Sequence, residues 1–567
     1  MAALAFVPAI RIATLVTQLA FRLAFPPAPL PRLDFSGGIP SAWRTAMIFP
    51  SIVTSREDVE EVLETIDRNY ESAAGAGLVF CLLADFADSA TEVAPGDGAL
   101  AESIRAGMTE LEARHKQTGS GTFIHLHRPR RFNDAEGLWM GWERKRGKVM
   151  EINRALCGDR DTSWTGAGLD SAALNDVVLI VTMDSDSLLE AGGAAALAGI
   201  IAHPLNRPRL EGRLVTAGYG IVCPRMAPYP GSLETPFSWA LFSDTLAGGA
   251  RELQASFYQD AFGTDMFGGK AIYHLPSFQA AVDGRIPDNS VLSHDHLEGL
   301  FARTGLASDL VLYEKIPATV IAWRRRQHRW VRGDFQVARW AVPQIPSATQ
   351  ARTPSALSAL DRWKLVNNLI FHATPVFILA FAVTGWLSVS AEWTNTVSLL
   401  TFGTLALGVP IAAATAFLTW GQCDLPPAGE TAGPRPNSRL GAAFGTFLVG
   451  AARLILDIVL LLDYCVFVTD AILRSQYRVW VSRRHLLEWS TASSTAALAG
   501  QSGLLRVWRE MAVSSVAALL LGGLFGLVRP EALPATAPFL LLWVFAPVLA
   551  YWSGLPLLRR KAGEQPV

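Results

Sequence analysis

Two stretches of this chain, Leu365 to Ala391 and Trp393 to Cys423, contain no Asp, Glu, Lys or Arg. Each is long enough to cross a bilayer, where a lone segment must be helical so that every backbone N–H and C=O is satisfied internally. Met511 to Val528 and Ala532 to Leu558 form a second apolar pair, parted only by Arg529-Pro-Glu531, which suits a tight turn between antiparallel helices. Residues 3 to 25 are apolar but interrupted by Arg11, Gln18 and Arg22, with no small-residue cleavage site after them. A cleaved signal peptide is therefore not expected, and spanning or lying along the interface are both open. Leu440 to Leu473 is apolar yet carries Arg453, Asp457, Asp463 and Asp470, which are costly at mid-bilayer, so an interfacial or re-entrant helix is expected. Arg474, Arg478, Arg483, Arg484, Arg506 and Arg509, with Arg559, Arg560 and Lys561 in the tail, assign those segments to the cytoplasmic side. The loop around Glu392 then faces out.

From Arg32 to about Pro343 the charge density is ordinary. Thr45 to Phe49, Leu78 to Leu83, Thr122 to Leu126 and Val177 to Met183 read as strands. Arg56 to Tyr70 reads as a helix, with Val59, Val62, Leu63 and Ile66 on one face. This alternation predicts a doubly wound α/β domain with ligands at the carboxyl ends of its strands. The expected partition is an N-terminal membrane or interfacial helix over 1–30, a cytoplasmic α/β domain over 31–345 and a linker over 346–365. Two spans follow over 366–421, then a cytoplasmic loop with interfacial helices over 422–510, two more spans over 511–558 and a basic tail over 559–567. The 49 basic and 50 acidic residues nearly cancel, so nothing global points to nucleic acid. Cys81, Cys157, Cys223, Cys423 and Cys465 lack metal-site spacing and read as core fillers in a reducing compartment.

The strand Val177 to Met183 ends in Asp184-Ser-Asp186, placing two carboxylates on one side of the carboxyl edge. Hard divalent cations take one or two carboxylates together with substrate phosphates, although an isolated Asp-X-Asp is as often a solvated turn or a helix cap. Asp85, with Asp88 shortly after, ends a second strand, where a carboxylate can accept hydrogen bonds from a uracil or ribose or simply be solvated. In Ser293-His-Asp-His-Leu-Glu298, Asp295 is the candidate base for removing a hydroxyl proton, or alternatively a helix cap. The run His328 to Trp340 follows Arg324, Arg325 and Arg326. Clustered arginines such as Arg329, Arg332 and Arg339 can grip a diphosphate, and Trp340 offers a flat face to a sugar, unless the run is a basic amphipathic helix on a membrane.

The order Asp, Asp-X-Asp, Asp, Gln-X-X-Arg-Trp, followed by membrane spans, resembles the processive family 2 type glycosyltransferases, cellulose synthase among them. Longer stretches resemble the glycosyltransferase module of bacterial cyclic β-1,2-glucan synthases, glycosyltransferase family 84. They include Pro31 to Pro40, Trp139 to Lys148, Ala202 to Pro208, Thr264 to Tyr273, Leu292 to Gly299, His328 to Asp334 and Ser482 to Trp489. The resemblance implies a GT-A (Rossmann-like) domain on an α-helical transmembrane bundle, UDP-glucose as donor, Mg²⁺ or Mn²⁺, and inversion at the anomeric carbon. It implies that Asp85 faces the uridine, Asp184 and Asp186 serve diphosphate and metal, and Asp295 is the base. Arg329, Arg332, Gln336 and Arg339 would hold the nucleotide sugar, with Trp340, His294 and Glu298 on the acceptor side. Lys148 and Asn153 match a family 2 Lys-Ala-Gly-X-X-Asn pattern whose intervening residues differ here.

The cyclising region and phosphorylase-like module of full-length synthases cannot fit in this chain. That leaves a linear product, or one closed and trimmed by separate enzymes. Met183-Asp-Ser-Asp-Ser187 replaces the usual Leu-Asp-Ala-Asp-Thr, and Gln-Val-Ala-Arg-Trp is nearer the cellulose synthase form. Linkage other than β-1,2, namely β-1,4 or β-1,3, therefore stays open, as does a non-catalytic role beside a synthase. The expected setting is the bacterial inner membrane, with a glucan acceptor and the lipid bilayer as partners.

Overall fold

The apolar runs pair into one mixed sheet. The computed structural model describes residues 1–25, 27–73, 75–116, 122–243, 256–349, 352–420, 438–489 and 503–557; Cys423 and the tail 559–567 lie outside them. The sheet strands are β1 (Thr45–Val53), β2 (Val79–Phe86), β3 (Thr122–His127), β4 (Leu179–Thr182), β5 (Ser187–Leu189), β6 (Ile221–Pro228), β7 (Ala271–His274) and β8 (Thr304–Glu314). Their spatial order is β3-β2-β1-β4-β7-β6-β8-β5. β1, β2, β3 and β4 run parallel, whereas β7 opposes both β4 and β6. The parallel register pairs Ile52 with Asp85 and Ile48 with Thr182, so Asp85 and the Asp184 turn leave the sheet at one edge.

The helices used below are α1 (Ala2–Ala24), α2 (Arg56–Ser72), α3 (Asp97–His115), α4 (Arg144–Leu156), α5 (Gly193–Ala202), α6 (His294–Ala302), α7 (Val320–Val337), α8 (Ala359–Ser388), α9 (Ala391–Ala406), α10 (Gly408–Thr419), α11 (Arg439–Tyr477), α12 (Ala512–Val528) and α13 (Leu533–Val544). α2 starts in a capping box, Ser55 with Asp58, and buries Val59, Val62 and Ile66. α2, α3 and α5 pack on one face of the sheet around Phe49, Phe80 and Leu82. On the other face, α4 and α6 pack around Ile48, Tyr273 and Phe301. The strands and helix read from the sequence are thus present with ends moved by a few residues, Val177 to Met183 being trimmed to Leu179–Thr182.

Among the described residues, four helices are long and apolar enough to cross a membrane: Ala2–Phe21, Ala359–Ser388, Glu392–Thr419 and Arg439–Ser482. There are up to six if two bent pairs each count as one span, Leu504–Glu510 with Ala512–Val528 and Pro530–Val544 with Ala546–Ser553. The expected span from Ala532 to Leu558 is therefore broken, by 48°, where Pro547 starts a new helix. α1 runs along α8 in the opposite sense, with Met1 near Gly385 and Arg11 over the Phe371 ring.

The segment expected to lie flat or re-enter is one uninterrupted helix, α11, without the break that a re-entrant hairpin needs. Its beginning meets the end of α10, where Arg439 lies 6.0 Å from the Trp420 ring. Its middle meets α13 and the start of α12, through Ile458 O to Trp543 at 2.9 Å and Asp463 to Ser514 at 2.9 Å. At its end, Ser475 Oγ donates to Arg332 O of α7. The charges that look costly in the sequence find partners here, since Asp463 pairs with Arg324 at 2.8 Å and Asp470 pairs with Arg474 and His328.

Candidate active site

The carboxyl edge of β4 carries the centre of the site. Asp184 Oδ1 accepts from Lys145 Nζ at 2.5 Å and Oδ2 accepts from Lys270 Nζ at 2.9 Å. Lys270 also donates to Glu314 Oε2 at 2.8 Å, and Arg326 donates to Glu314 Oε1 at 3.0 Å. β5 makes this possible, because its antiparallel pairing sets Ser187 beside Glu314 at the end of β8. Burial alone would push the Asp184 carboxyl up, but the two ammonium groups outweigh it and hold the carboxyl far below its ordinary range. Asp186 has no hydrogen-bond or ion-pair partner among the described residues. Burial and the neighbouring Asp184 charge push its carboxyl up to about 6. Lys145 and Lys270 escaped the sequence reading. Their signal lay in two stretches that carry the family resemblance, Trp139 to Lys148 and Thr264 to Tyr273.

Asp295 joins this centre from the first turn of α6. Gly269, at φ +83, is the hinge between the two: a Cβ there would lie 3.4 Å from Lys145 Nζ and 3.5 Å from Asp295 Oδ2. Lys145 also donates to Gly269 O at 2.8 Å. Asp184 and Asp295, more than a hundred residues apart in sequence, are thereby brought to Lys145 and the Gly269 turn, with Asp186 beside Asp184 and Lys270. Arg329, on α7, lies within electrostatic reach of both Asp184 and Asp186, and burial pulls its guanidinium down to about 10.

Other expected ligand contacts prove to be braces. Trp340 is fully buried, 0% exposed, among Val149, Leu297 and Val337, so its indole offers no face to a sugar. Gln336 is enclosed as well: its Oε1 accepts from Leu292 N at 2.8 Å and its Nε2 donates to Leu486 O at 2.9 Å. Arg339 donates to Ser290 O at 3.1 Å. The Gln-X-X-Arg-Trp motif therefore holds the loop that presents Asp295. Arg332 donates to Glu488 O at 2.9 Å and pairs with Glu488 Oε2 at 3.2 Å. His294 and Glu298 satisfy each other at 2.9 Å, with Glu298 buried. Burial pulls the His294 imidazole down and Glu298 more than offsets it, leaving it above its ordinary value.

Asp85 is 3% exposed. It accepts from Arg128 Nε at 2.9 Å and Nη2 at 2.7 Å, and pairs with Lys148 at 3.4 Å. Lys148 donates to Ser51 O at 2.6 Å, and burial pulls its ammonium down to about 8. Asn153 is 0% exposed and accepts from Tyr273 OH at 2.8 Å. These residues form the floor beneath the sheet edge, closed to a nucleotide, because the basic run on α4 points inward. Asp88, one turn on, is gripped by Arg144 through two bonds of 3.1 and 2.7 Å.

No cluster of three metal-ligating side chains occurs among the described residues. A divalent cation that keeps waters and substrate phosphates needs only one or two carboxylates. Asp186 fits that need, as an unpaired carboxylate whose raised proton affinity a cation would relieve, while Asp184 is already neutralised by lysines.

No family model matches the chain. It is 34% identical over 546 residues, 94% of its length, to the cyclic beta-(1,2)-glucan synthase NdvB of Rhizobium meliloti (strain 1021). It spans only 18% of that relative's length. The resemblance carried by the motifs therefore extends along nearly the whole chain, and points to a glucan synthase module of that kind.

Proposed function

We propose that this chain, related over nearly its whole length to one module of a cyclic β-(1,2)-glucan synthase, is a membrane-bound inverting glucosyltransferase that moves glucose from UDP-glucose to a growing β-1,2-glucan. The observation that carries the reading is the meeting of Asp184 and Asp295 at Lys145 and Gly269, with Asp186 beside Asp184. Direct displacement at an anomeric carbon needs a base on the acceptor hydroxyl and positive charge at the departing diphosphate. Asp295 takes the first role, drawing the proton from the attacking hydroxyl. Arg329 meets the diphosphate, and Lys145 and Lys270 keep Asp184 from repelling it. Mg²⁺ or Mn²⁺ held at Asp186 would add the remaining neutralisation. The α/β domain follows a GT-A plan and faces the cytoplasm, with α11 joining the helices α10 and α13 to that domain through α7. Incubation of the purified chain with radiolabelled UDP-glucose, followed by linkage analysis, tests the reading. A β-1,2-linked polymer is expected, and β-1,4 or β-1,3 linkage, or no polymer, would refute it.

A further inference from the structure

Asp295 stands on a turn that local sequence does not hold. α6 opens at Ser293 without a side-chain cap, so its first N–H groups gain nothing from a capping oxygen. Gln336 and Arg339 brace Leu292 and Ser290, which precede the helix, and His294 closes on Glu298 within it. From the first turn itself, His296 reaches out to another element. Successive residues on a helix point about 100° apart. While Asp295 faces Gly269, His296 therefore turns to α7, where its Nδ1 lies 3.3 Å from Asp334 Oδ1.

Asp334 is buried, and its second oxygen carries the connection onward: Oδ2 accepts from Nε2 of the buried His372 at 2.9 Å. His372 belongs to α8. Among the described residues, the partners of this carboxylate are thus two imidazoles, one from the helix of the base and one from a helix long and apolar enough to cross a membrane. His372 is costly to bury, because its Nδ1 is enclosed without a hydrogen-bond partner among the described residues. A leucine would fill the space without that cost, so the bond to Asp334 is what the imidazole supplies. The turn around it is a junction. Arg11 of α1 lies 5.2 Å from the neighbouring Phe371 ring, and Pro375, inside α8, has no N–H to give to Phe371 O. We propose that Asp334 and His372 are positioning residues for Asp295, a bridge through which α8 sets where the base stands. Gln336, Arg339 and Gly333 tie the loop before α6 to the end of α7, whereas this connection runs on to α8. Both roles rest on the reading of Asp295 as the base of a glucosyltransferase.

The bridge is tested in the full-length solubilised chain by kcat and KM for UDP-glucose, beside UDP affinity from calorimetry. His372→Leu keeps the bulk and removes the donor, whereas His372→Gln returns an N–H close to the position of Nε2. His372→Leu is expected to lower kcat about tenfold. Its KM and UDP affinity should stay within about twofold of wild type. His372→Gln should recover most of the lost kcat. In an Asp295→Asn background His372→Leu should cost nothing further, because it acts through that carboxylate. If His372→Leu does not fold, His296→Leu, at the partly exposed end of the same bridge, carries the same expectations. Unchanged kcat in the leucine variant would overturn the proposal. Equal losses in His372→Leu and His372→Gln would overturn it too, by making the side chain a packing element, as would a matching fall in UDP affinity, by making it a prop for the whole site. Polymer formed equally well by wild type and all single variants of His372 would remove the bridge alone, whereas a wild-type chain that consumes no UDP-glucose would remove the transferase reading and the bridge with it.

Discussion

Arg128 closes both arms of its guanidinium on Asp85, Nε to Oδ1 at 2.9 Å and Nη2 to Oδ2 at 2.7 Å, beneath the edge that carries the reacting centre. Lys148 approaches the same carboxylate from α4. Asp85 is thus the counter-ion of two buried cations, and its first duty is to hold β2, β3 and α4 in register.

Removing it strands those cations. Asp85→Ala is expected to cost about 3–5 kcal/mol, as for other buried pairs that lose one partner. The readout is the midpoint of thermal or denaturant unfolding. An unchanged midpoint with weakened UDP binding would make Asp85 a nucleotide contact instead.

Lys270 ties Asp184 to Glu314. Lys270→Ala takes one of two cationic partners from each of Asp184 and Glu314, and should lower kcat/KM for UDP-glucose by about 10²-fold. Lys270→Arg, which restores the charge, should recover part of the loss. Equal activity in all three proteins would separate this lysine from catalysis.

Chelation should stop glucose transfer, and Mg²⁺ or Mn²⁺ should restore it. Asp186 holds its proton up to about 6, so a cation must displace that proton at lower pH and finds a free carboxylate above it. The half-saturating Mn²⁺ concentration should fall as pH rises towards 6 and level off beyond. The folded state also binds this proton more tightly than the unfolded chain. Metal-free protein should therefore lose stability as pH rises from about 4 to about 6. A Mn²⁺ requirement independent of pH across this window would remove Asp186 as the ligand.

Gly333 lets α7 approach Ser293, because a Cβ there would overlap the serine hydroxyl. Gly333→Ala should push α7 away from the loop that presents Asp295, and reduce kcat about tenfold or more with the fold retained. Unaltered kcat would mean that the base does not depend on this approach.

Much of this architecture was legible in the residues. Alternating apolar runs located the parallel strands, and Asp184-Ser-Asp186 fell at a strand end because a buried run stopped there. Composition alone located two of the helices long and apolar enough to cross a membrane, Ala359–Ser388 and Glu392–Thr419, but not Arg439–Ser482. What pattern could not supply was the partner of each polar side chain. The run Arg144-Lys-Arg-Gly-Lys148 is rich in cations, yet Arg146 and Lys148 are buried, Arg146 against Glu143 and the distant Asp288 and Lys148 against Asp85. Trp340 ends a helix in a motif that elsewhere meets sugar, and only tertiary packing shows it enclosed. The length of α11 was hidden for a related reason: of the charges that argue against a continuous apolar helix, Asp463 and Asp470 meet α7, more than a hundred residues earlier, and Arg453 and Asp457 meet each other.

The most direct measurement concerns Asp295→Asn, with UDP affinity and polymer formation from radiolabelled UDP-glucose determined on one preparation. The amide keeps the shape of the side chain but cannot take a proton. UDP binding should stay within about twofold of wild type while polymer formation falls about 10³-fold. Near-normal polymer formation by this variant would contradict the assignment of Asp295 as the base, and with it the site proposed here.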